Sequence, residues 1–194
     1  MQHELKYQQQ KSENTRALLI STAKRLFREQ GYESVGVREI AAAAGVTTGT
    51  FYYYFKTKYD ILDAIYKHTD ETFDEMFRKG FSAENIPGKI IEFFSTSMAD
   101  LIESDGREFT RHRMLQMQIH SSRENSLYIN VIELIKRGQA ACEIDSSKSA
   151  EEINDFIFLV FRGVLYEWCV TDEPFGLHES LRKCITYSLQ PFLI

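Results

Sequence analysis

Hydroxyl, phenol and ammonium groups are concentrated in one short segment, residues 47–58. It holds the runs Thr47-Thr-Gly-Thr50 and Tyr52-Tyr-Tyr54, which are followed by Lys56 and Lys58. Threonine hydroxyls, free amides at a helix N-terminus and lysine ammonium groups all donate hydrogen bonds to phosphate oxygens. The chemistry that this spacing favours is therefore non-covalent recognition of an anionic partner.

The residues just before this segment have the pattern of two short helices joined by a glycine turn. Four alanines, Ala41 to Ala44, keep the first helix thin, and Gly45 suits a left-handed turn. Thr47 can cap the second helix. This pattern is typical of a helix-turn-helix, although an alanine-rich helix and a glycine turn also occur in other all-α proteins.

The tyrosine run favours the binding interpretation. Successive residues on a helix point about 100° apart, so Tyr52, Tyr53 and Tyr54 cannot all be buried. At least one of these rings must be exposed. Lys58 falls in the first turn of the next helix, where the positive end of the helix dipole disfavours a cation. A phosphate nearby would explain a lysine at this position.

The elements that position these residues are predicted to be helices throughout. Only 13 residues of 194 are Gly or Pro, and apolar residues recur at helical spacing along most of the chain. We predict an all-α fold of about nine helices. The inner face of the first helix is marked by the spacing of Leu19, Ala23, Leu26 and Phe27. Thr57 is expected to cap the fourth helix with Asp60, one helix is expected from Pro87 to about Glu103, and Ser149 and Glu152 are expected to form a capping box. The expected parts of the chain are a flexible tail over residues 1–11, a helix-turn-helix domain over 12–60, and a second, larger helical domain over 61–194.

Charge is divided unevenly between these parts. The chain carries a net charge of −5, but residues 1–60 hold nine basic and six acidic residues. A basic segment joined to an acidic one is consistent with a nucleic-acid-binding part and a second part with another partner. The histidines show no metal-ligand grouping and the three cysteines no CxxC motif, so neither metal nor cofactor is expected. Without a secretory signal or a long apolar run, we expect a cytoplasmic protein that does not bind membranes.

Residues 15–66 resemble the DNA-binding domain of the TetR (tetracycline-repressor) family of bacterial transcriptional regulators. Gly36 departs from the Ser or Thr that usually caps the second helix of that domain, at a cost of a few tenths of a kcal/mol. The matching residues keep the order and the spacing of the family: Leu26-Phe27, Gly31-Tyr32, Arg38-Glu39-Ile40-Ala41, Ala44-Gly45-Val46, Gly49-Thr50, Tyr52-Tyr53-Tyr54-Phe55, Lys58 and Leu62.

The resemblance implies a DNA-reading role for the second helix of the pair. Residues implied to face base edges are Thr48, Gly49, Tyr53 and Tyr54. Residues implied mostly to hold phosphates are Arg38, Thr47, Thr50, Tyr52 and Lys58, and Arg38 can also reach a base. The implied function is a ligand-responsive repressor that binds a near-palindromic operator as a homodimer.

The rest of the chain matches the family in pattern alone, and the resemblance implies that residues 61–194 form an effector-binding and dimerisation domain. The resemblance implies that its last two long helices form a four-helix interface with a second subunit, with Phe156, Val160, Val164, Leu181 and Ile185 as expected contacts. The resemblance also implies a small-molecule effector, and bulky residues could line a cavity for an apolar or amphipathic one, although core packing is an open alternative for each residue. The candidates are Phe73, Phe77, Phe94, Met98, Met114, Met117 and Trp168.

Two other functions are compatible with an all-α chain. A small-molecule binding module could keep the helix-turn-helix without using it, but the Thr48–Tyr54 surface and Lys58 are both intact. An all-α enzyme is the third class, and no GxSxG, HExxH or phosphate-loop motif supports it. The sequence therefore predicts a regulator without enzymatic activity.

Overall fold

The computed structural model describes residues 2–120, 126–173 and 175–194, except for the side chains of residues 2–5, 66–71, 113 and 115–120. Two compact units make up the chain, Met1–Thr69 and Asp70–Ile194. The described residues form ten α-helices and no β-strand of more than an isolated bridge, so the predicted all-α class is confirmed. None of these helices is long and apolar enough to cross a lipid bilayer.

The first unit is built around a small apolar core. Its helices are α1 (Gln2–Gln30), α2 (Val37–Ala43), α3 (Thr48–Tyr54) and the beginning of α4 (Lys58–Lys79). Every one of them contributes to the buried set: Leu19, Ala23, Phe27, Ile40, Ala41, Phe51, Phe55, Ile61 and Leu62. The helical spacing that predicted the inner face of α1 is confirmed by Leu19, Ala23 and Phe27.

The N-terminus differs from the prediction of a flexible tail. Residues 2–11 are helical and continue α1 without a break. This stretch contains glutamines, a leucine and lysines, which are good helix formers, and no Gly or Pro. Its polarity suggested a tail, but polarity excludes burial rather than helix formation.

The second unit contains the end of α4 and six further helices. Between the first two of these, Phe93–Met98 forms a π-helical segment, and a 3₁₀ turn over Gln190–Phe192 follows the last one. The sequence predicted a single helix where α5, the π segment and α6 now lie, which accounts for nine predicted helices against ten observed. The six are α5 (Ile86–Glu92), α6 (Ala99–Asp105), α7 (Arg107–His120), α8 (Ser126–Ala140), α9 (Ala150–Val170) and α10 (Leu177–Leu189).

Aromatic rings dominate the core of the second unit. The ring of Phe94 is fully buried and lies 5.6 Å from Phe158, 5.0 Å from Phe161 and 5.1 Å from Phe93 between centroids. These rings join the π segment to α9 by packing residues more than 60 positions apart in the chain. The predicted capping box at the start of α9 is confirmed, since Ser149 and Glu152 cap each other's backbone N–H.

Candidate nucleic-acid interface

The turn between α2 and α3 has the geometry that its sequence predicted. Gly45 adopts a φ of +68°, and the Val46 N–H donates to the Ala41 carbonyl at 3.0 Å. A positive φ is strained for residues with a side chain, so Gly45 makes this turn tight. Ala41 and Ala44 face inward, which lets α3 lie close to α2.

Thr47 caps α3, as predicted. Its hydroxyl accepts a hydrogen bond from the Thr50 N–H at 3.1 Å and lies 2.9 Å from the Thr50 hydroxyl. The two hydroxyls share one hydrogen bond, so one of their two protons remains available to another acceptor. With the positive end of the helix dipole beside it, this end of α3 suits a phosphate.

The outer face of α3 is formed by Gly49 and two tyrosines. Tyr52 is 53% exposed and Tyr53 is 79% exposed, whereas Phe51 between them and the core is fully buried. Gly49 adds no side chain to this face, so the helix backbone there is open to a partner. The prediction that the tyrosine run must leave at least one ring exposed is confirmed.

Tyr54 is held differently from its neighbours. It is half-buried, its hydroxyl lies 3.0 Å from the Ser12 hydroxyl of α1, and its ring packs edge-to-face on Tyr53 at 4.9 Å. Tyr54 thus ties α3 to α1 and supports the exposed ring beside it. The Ser12 contact could not be predicted from local sequence patterns, because the two residues are 42 positions apart.

Three cations near the helix-turn-helix differ in how they are held. Arg38, in the first turn of α2, is exposed, as is Lys56 after α3. Lys58 is half-buried: its ammonium donates to the Tyr32 carbonyl at 2.8 Å and lies 4.1 Å from the centre of the Tyr32 ring. The predicted cap of α4 is confirmed, since Thr57 and Asp60 each accept from the other's backbone N–H at 3.1 and 3.0 Å.

Tyr32 was matched by sequence without being given a role. Its ring packs edge-to-face on the buried Phe27 at 5.0 Å. Burial raises its pKa above the usual value, with smaller contributions from Glu33 and Tyr59, so the phenol is protonated at neutral pH. The Gly31-Tyr32 pair is the sequence feature that could have indicated this packing, because an aromatic residue just after a helix-ending glycine is stabilised when its ring finds a packing partner.

The candidate effector residues lie in or against the core of the second unit. Phe73, Phe94, Met98 and Trp168 are buried there, and Phe77 and Met114 are half-buried against them. The side chain of Met117 is outside the described residues. Burial is compatible with both alternatives, a cavity wall and plain core, so the assignment stays a prediction.

A surface groove of about 460 Å³ lies elsewhere on the second unit. Glu92 forms part of its wall and accepts hydrogen bonds from the Ser82 N–H and hydroxyl and from the Ala83 N–H. The Ser82 N–H is the main cause that lowers the pKa of Glu92. The candidate effector residues are not among those lining this groove: Ser82, Ala83, Gly88, Ile91, Glu92, Thr96, Arg182 and Thr186.

The predicted subunit contacts are corrected in part by their burial. Leu181 and Ile185 are fully buried by their own chain, so they have no surface to offer a partner. Phe156 is exposed, and Val160 and Val164 are half-buried against the core. Leu181 and Ile185 are four residues apart, and the face of α10 that they share is the one turned towards its own chain.

The exposed side of α9 carries an apolar stripe, residues 156, 159, 163, 166 and 170. They recur at steps of three and four, which places them on one helix face. Leu159 is 62% exposed and Tyr166 is 58% exposed, and Gly163 leaves open space between them. Apolar residues repeated in this way on a helix surface are typical of helix-to-helix association.

Some buried polar atoms of the second unit have no hydrogen-bond partner among the described residues. They are the Ser95 and Thr110 hydroxyls and the Asn154 side-chain oxygen. No group of His, Cys, Asp and Glu suited to a metal ion was found in the described part of the chain. Arg111 on α7 is exposed and paired with Glu108 at 2.6 Å.

Comparison with known proteins matches the first unit to a family. The family described as bacterial regulatory proteins, tetR family, matches residues 19–65. The TetC protein of transposon Tn10 from Escherichia coli is 43% identical over 61 residues, which are 31% of each chain. The family match covers the helix-turn-helix and the beginning of α4.

Similarity also extends over almost the whole chain. The transcriptional regulator AcrR of Shigella flexneri is 23% identical over 200 residues, covering 95% of this chain and 92% of AcrR. The structure of FadR from Bacillus subtilis in complex with stearoyl-CoA superposes with a TM-score of 0.69 at 19% identity, covering 89% of this chain and 97% of FadR. The similarity therefore spans nearly the full length of this chain and of both relatives.

Proposed function

We propose that this chain, which belongs to the TetR family of bacterial transcriptional regulators, is a ligand-responsive repressor. In this proposal it has no enzymatic activity, acts in the cytoplasm, and binds a near-palindromic operator as a homodimer. The observation that carries the proposal is the outer face of α3, where two tyrosines and a glycine are exposed beside a capped helix N-terminus. An exposed aromatic face of this kind is costly in water unless a partner covers it.

The roles on DNA follow from exposure and hydrogen-bonding capacity. Tyr53 is the main base-reading residue, because it is the most exposed ring of α3. Thr48 and Gly49 approach base edges beside it, and Tyr54 contributes mainly by supporting the Tyr53 ring. Phosphates are held by Arg38, Thr47, Thr50, Tyr52 and Lys58.

The stripe on α9 supports dimerisation. Burial of Phe156, Leu159, Tyr166 and Val170 against a second copy would remove a row of apolar side chains from water. Two recognition helices related by a two-fold axis then read two half-sites on one face of the duplex. In this account Leu181 and Ile185 stabilise α10 within its own subunit rather than the dimer.

The second unit supplies the response to a ligand. Its aromatic core suits a small apolar or amphipathic effector, and the similar FadR structure holds stearoyl-CoA. A ligand that prefers the dimer conformation with the wrong spacing of recognition helices shifts the population away from DNA binding. Phe77 and Met114 are the candidates with exposed area left for such a ligand.

The experiment begins with selection of a duplex from a random library by the full-length protein. Footprinting on the selected duplex should then show two protected major-groove patches about 10 base pairs apart, or a multiple of this. Light scattering of the free protein should give twice the mass of the 22.6 kDa chain. A single protected patch, or a monomeric mass at micromolar concentration, would contradict the dimeric repressor.

A further inference from the structure

We propose that Tyr32 is a positioning residue that holds the Lys58 ammonium ready for a DNA phosphate. The inference rests on the proposed function, because it concerns one of the phosphate contacts assigned there. Tyr32 itself need not contact DNA. It acts on binding through Lys58, from the turn that joins α1 to α2.

The position of Lys58 makes such support necessary. Lys58 is the first residue of α4, where the helix dipole places partial positive charge. A lysine side chain there is expected to swing into solvent and to lose considerable rotamer freedom when it binds a phosphate. An exposed ammonium at this position would therefore be a weak phosphate ligand.

Tyr32 offsets both effects with two separate groups. Its carbonyl oxygen accepts a hydrogen bond from the ammonium at 2.8 Å, and its ring face lies 4.1 Å from the same nitrogen. A neutral aromatic face attracts a cation. The two contacts involve separate groups of Tyr32, and together they restrain the ammonium before DNA arrives.

The turn fixes Tyr32 in its own place. Gly31 has a φ of +83°, and its N–H donates to the Phe27 carbonyl at 3.0 Å, which ends α1 at that point. The Tyr32 ring then packs on Phe27, whose side chain is fully buried. The Gly31-Tyr32 pair therefore connects the core of the first unit to the ammonium that faces the phosphate.

The ammonium keeps capacity for the phosphate while Tyr32 holds it. It has three N–H donors, of which the Tyr32 carbonyl uses one. Two remain for phosphate oxygens. Holding a side chain in its bound conformation improves affinity by removing the cost of ordering it during binding.

The test is a double-mutant cycle on duplex binding that does not need the operator. A random-sequence 30-base-pair duplex is the probe, and fluorescence anisotropy is measured between 50 and 250 mM salt. Tyr32→Leu removes the ring, Tyr32→Phe keeps it as the matched control, and Lys58→Met removes the charge but keeps an unbranched side chain. The fourth protein carries Tyr32→Leu and Lys58→Met together.

We expect Tyr32→Leu to weaken duplex binding about three- to tenfold and Tyr32→Phe to change it less than about twofold. Lys58→Met should reduce the salt slope by about 1, the contribution of one phosphate. In the Lys58→Met background, Tyr32→Leu should change affinity less than about twofold. This non-additivity separates positioning of Lys58 from a general effect on the fold.

Two results would overturn the inference while wild-type binding is intact. One is unchanged affinity of Tyr32→Leu, and the other is an equal loss in the presence and absence of Lys58. Failure of the wild-type protein to bind any duplex would instead overturn the proposed function, and this inference with it.

A second measurement covers the case in which Tyr32→Leu does not fold. In wild-type protein and in Tyr32→Phe, NMR resonances of the Lys58 ε-methylene protons should be shifted upfield by the ring current of residue 32. Resonances at the position of a freely exposed lysine would contradict the proposal.

Discussion

The two units hold their candidate functional residues in opposite ways. In the first unit two of the DNA-reading candidates, Gly49 and Tyr53, are exposed, and Tyr53 is the most exposed ring of α3. In the second unit most of the described effector candidates are buried in the core, and Phe94 is fully covered by other rings. An exposed aromatic face favours a partner because exposure of apolar ring surface to water is unfavourable, whereas the position of a buried ring is already explained by packing in the core. This difference is why the DNA-binding site is the better defined of the two.

The largest expected effect is in the second unit. Phe94→Ala should lower the free energy of unfolding by about 3–5 kcal/mol, because it leaves a cavity among three other rings. Urea titration followed by circular dichroism measures it. Tyr53→Ala is the matched aromatic truncation in the first unit and should change stability by less than about 0.5 kcal/mol. Equal losses of unfolding free energy in the two variants would contradict the distinction between the two units.

Replacement of Leu159 tests the apolar stripe of α9. Leu159→Glu should weaken dimerisation by about 2 kcal/mol or more, roughly a 30-fold change, because a charge would be buried at the subunit contact. Sedimentation over a range of concentrations measures it. Leu18→Glu makes the same change at an exposed leucine of α1 and should leave the mass of the assembly unchanged. Dissociation by both variants, or by neither, would contradict the assigned interface.

Tyr53→Ala should reduce discrimination between DNA sequences rather than general affinity. The difference in binding free energy between the selected and a scrambled duplex should fall by about 1–3 kcal/mol, the range for loss of a base contact. Competition binding at fixed salt measures this ratio. Tyr7→Ala, at an exposed tyrosine of α1, provides the control and should keep the ratio. A uniform loss on all duplexes would move Tyr53 to the phosphate contacts.

The smallest effects compare one helix cap in each unit. Thr47→Ala and Ser149→Ala each remove a side-chain cap and should cost about 1 kcal/mol of stability. Thermal unfolding measures that cost. Only Thr47→Ala should also weaken duplex binding, because its hydroxyl lies at the proposed phosphate site. Weakened binding by Ser149→Ala as well would show that lower stability alone reduces DNA affinity.

Short-range rules predicted much of the first unit. The Thr47 cap, the Gly45 turn and the exposure of the tyrosine run depend on residues within a few positions of one another. The Ser149 capping box in the second unit was predictable for the same reason. Each of these features is settled by local hydrogen bonds and backbone conformation, which a sequence displays directly.

Contacts between distant residues were beyond those rules. Helical spacing placed Leu181 and Ile185 on one face of α10, but whether that face meets its own chain or a partner depends on the packing of α9 and the π segment. The partner of Lys58 is Tyr32, 26 positions earlier, and that of Tyr54 is Ser12. The π segment has no simple sequence signal.

The central claim is that the outer face of α3 reads duplex DNA. Its most direct test is the ratio of wild-type affinities for the selected operator and for a scrambled duplex of the same length at 150 mM salt. The account predicts a ratio of about 10³ or more, within the range of specific regulators. A ratio near one would contradict it.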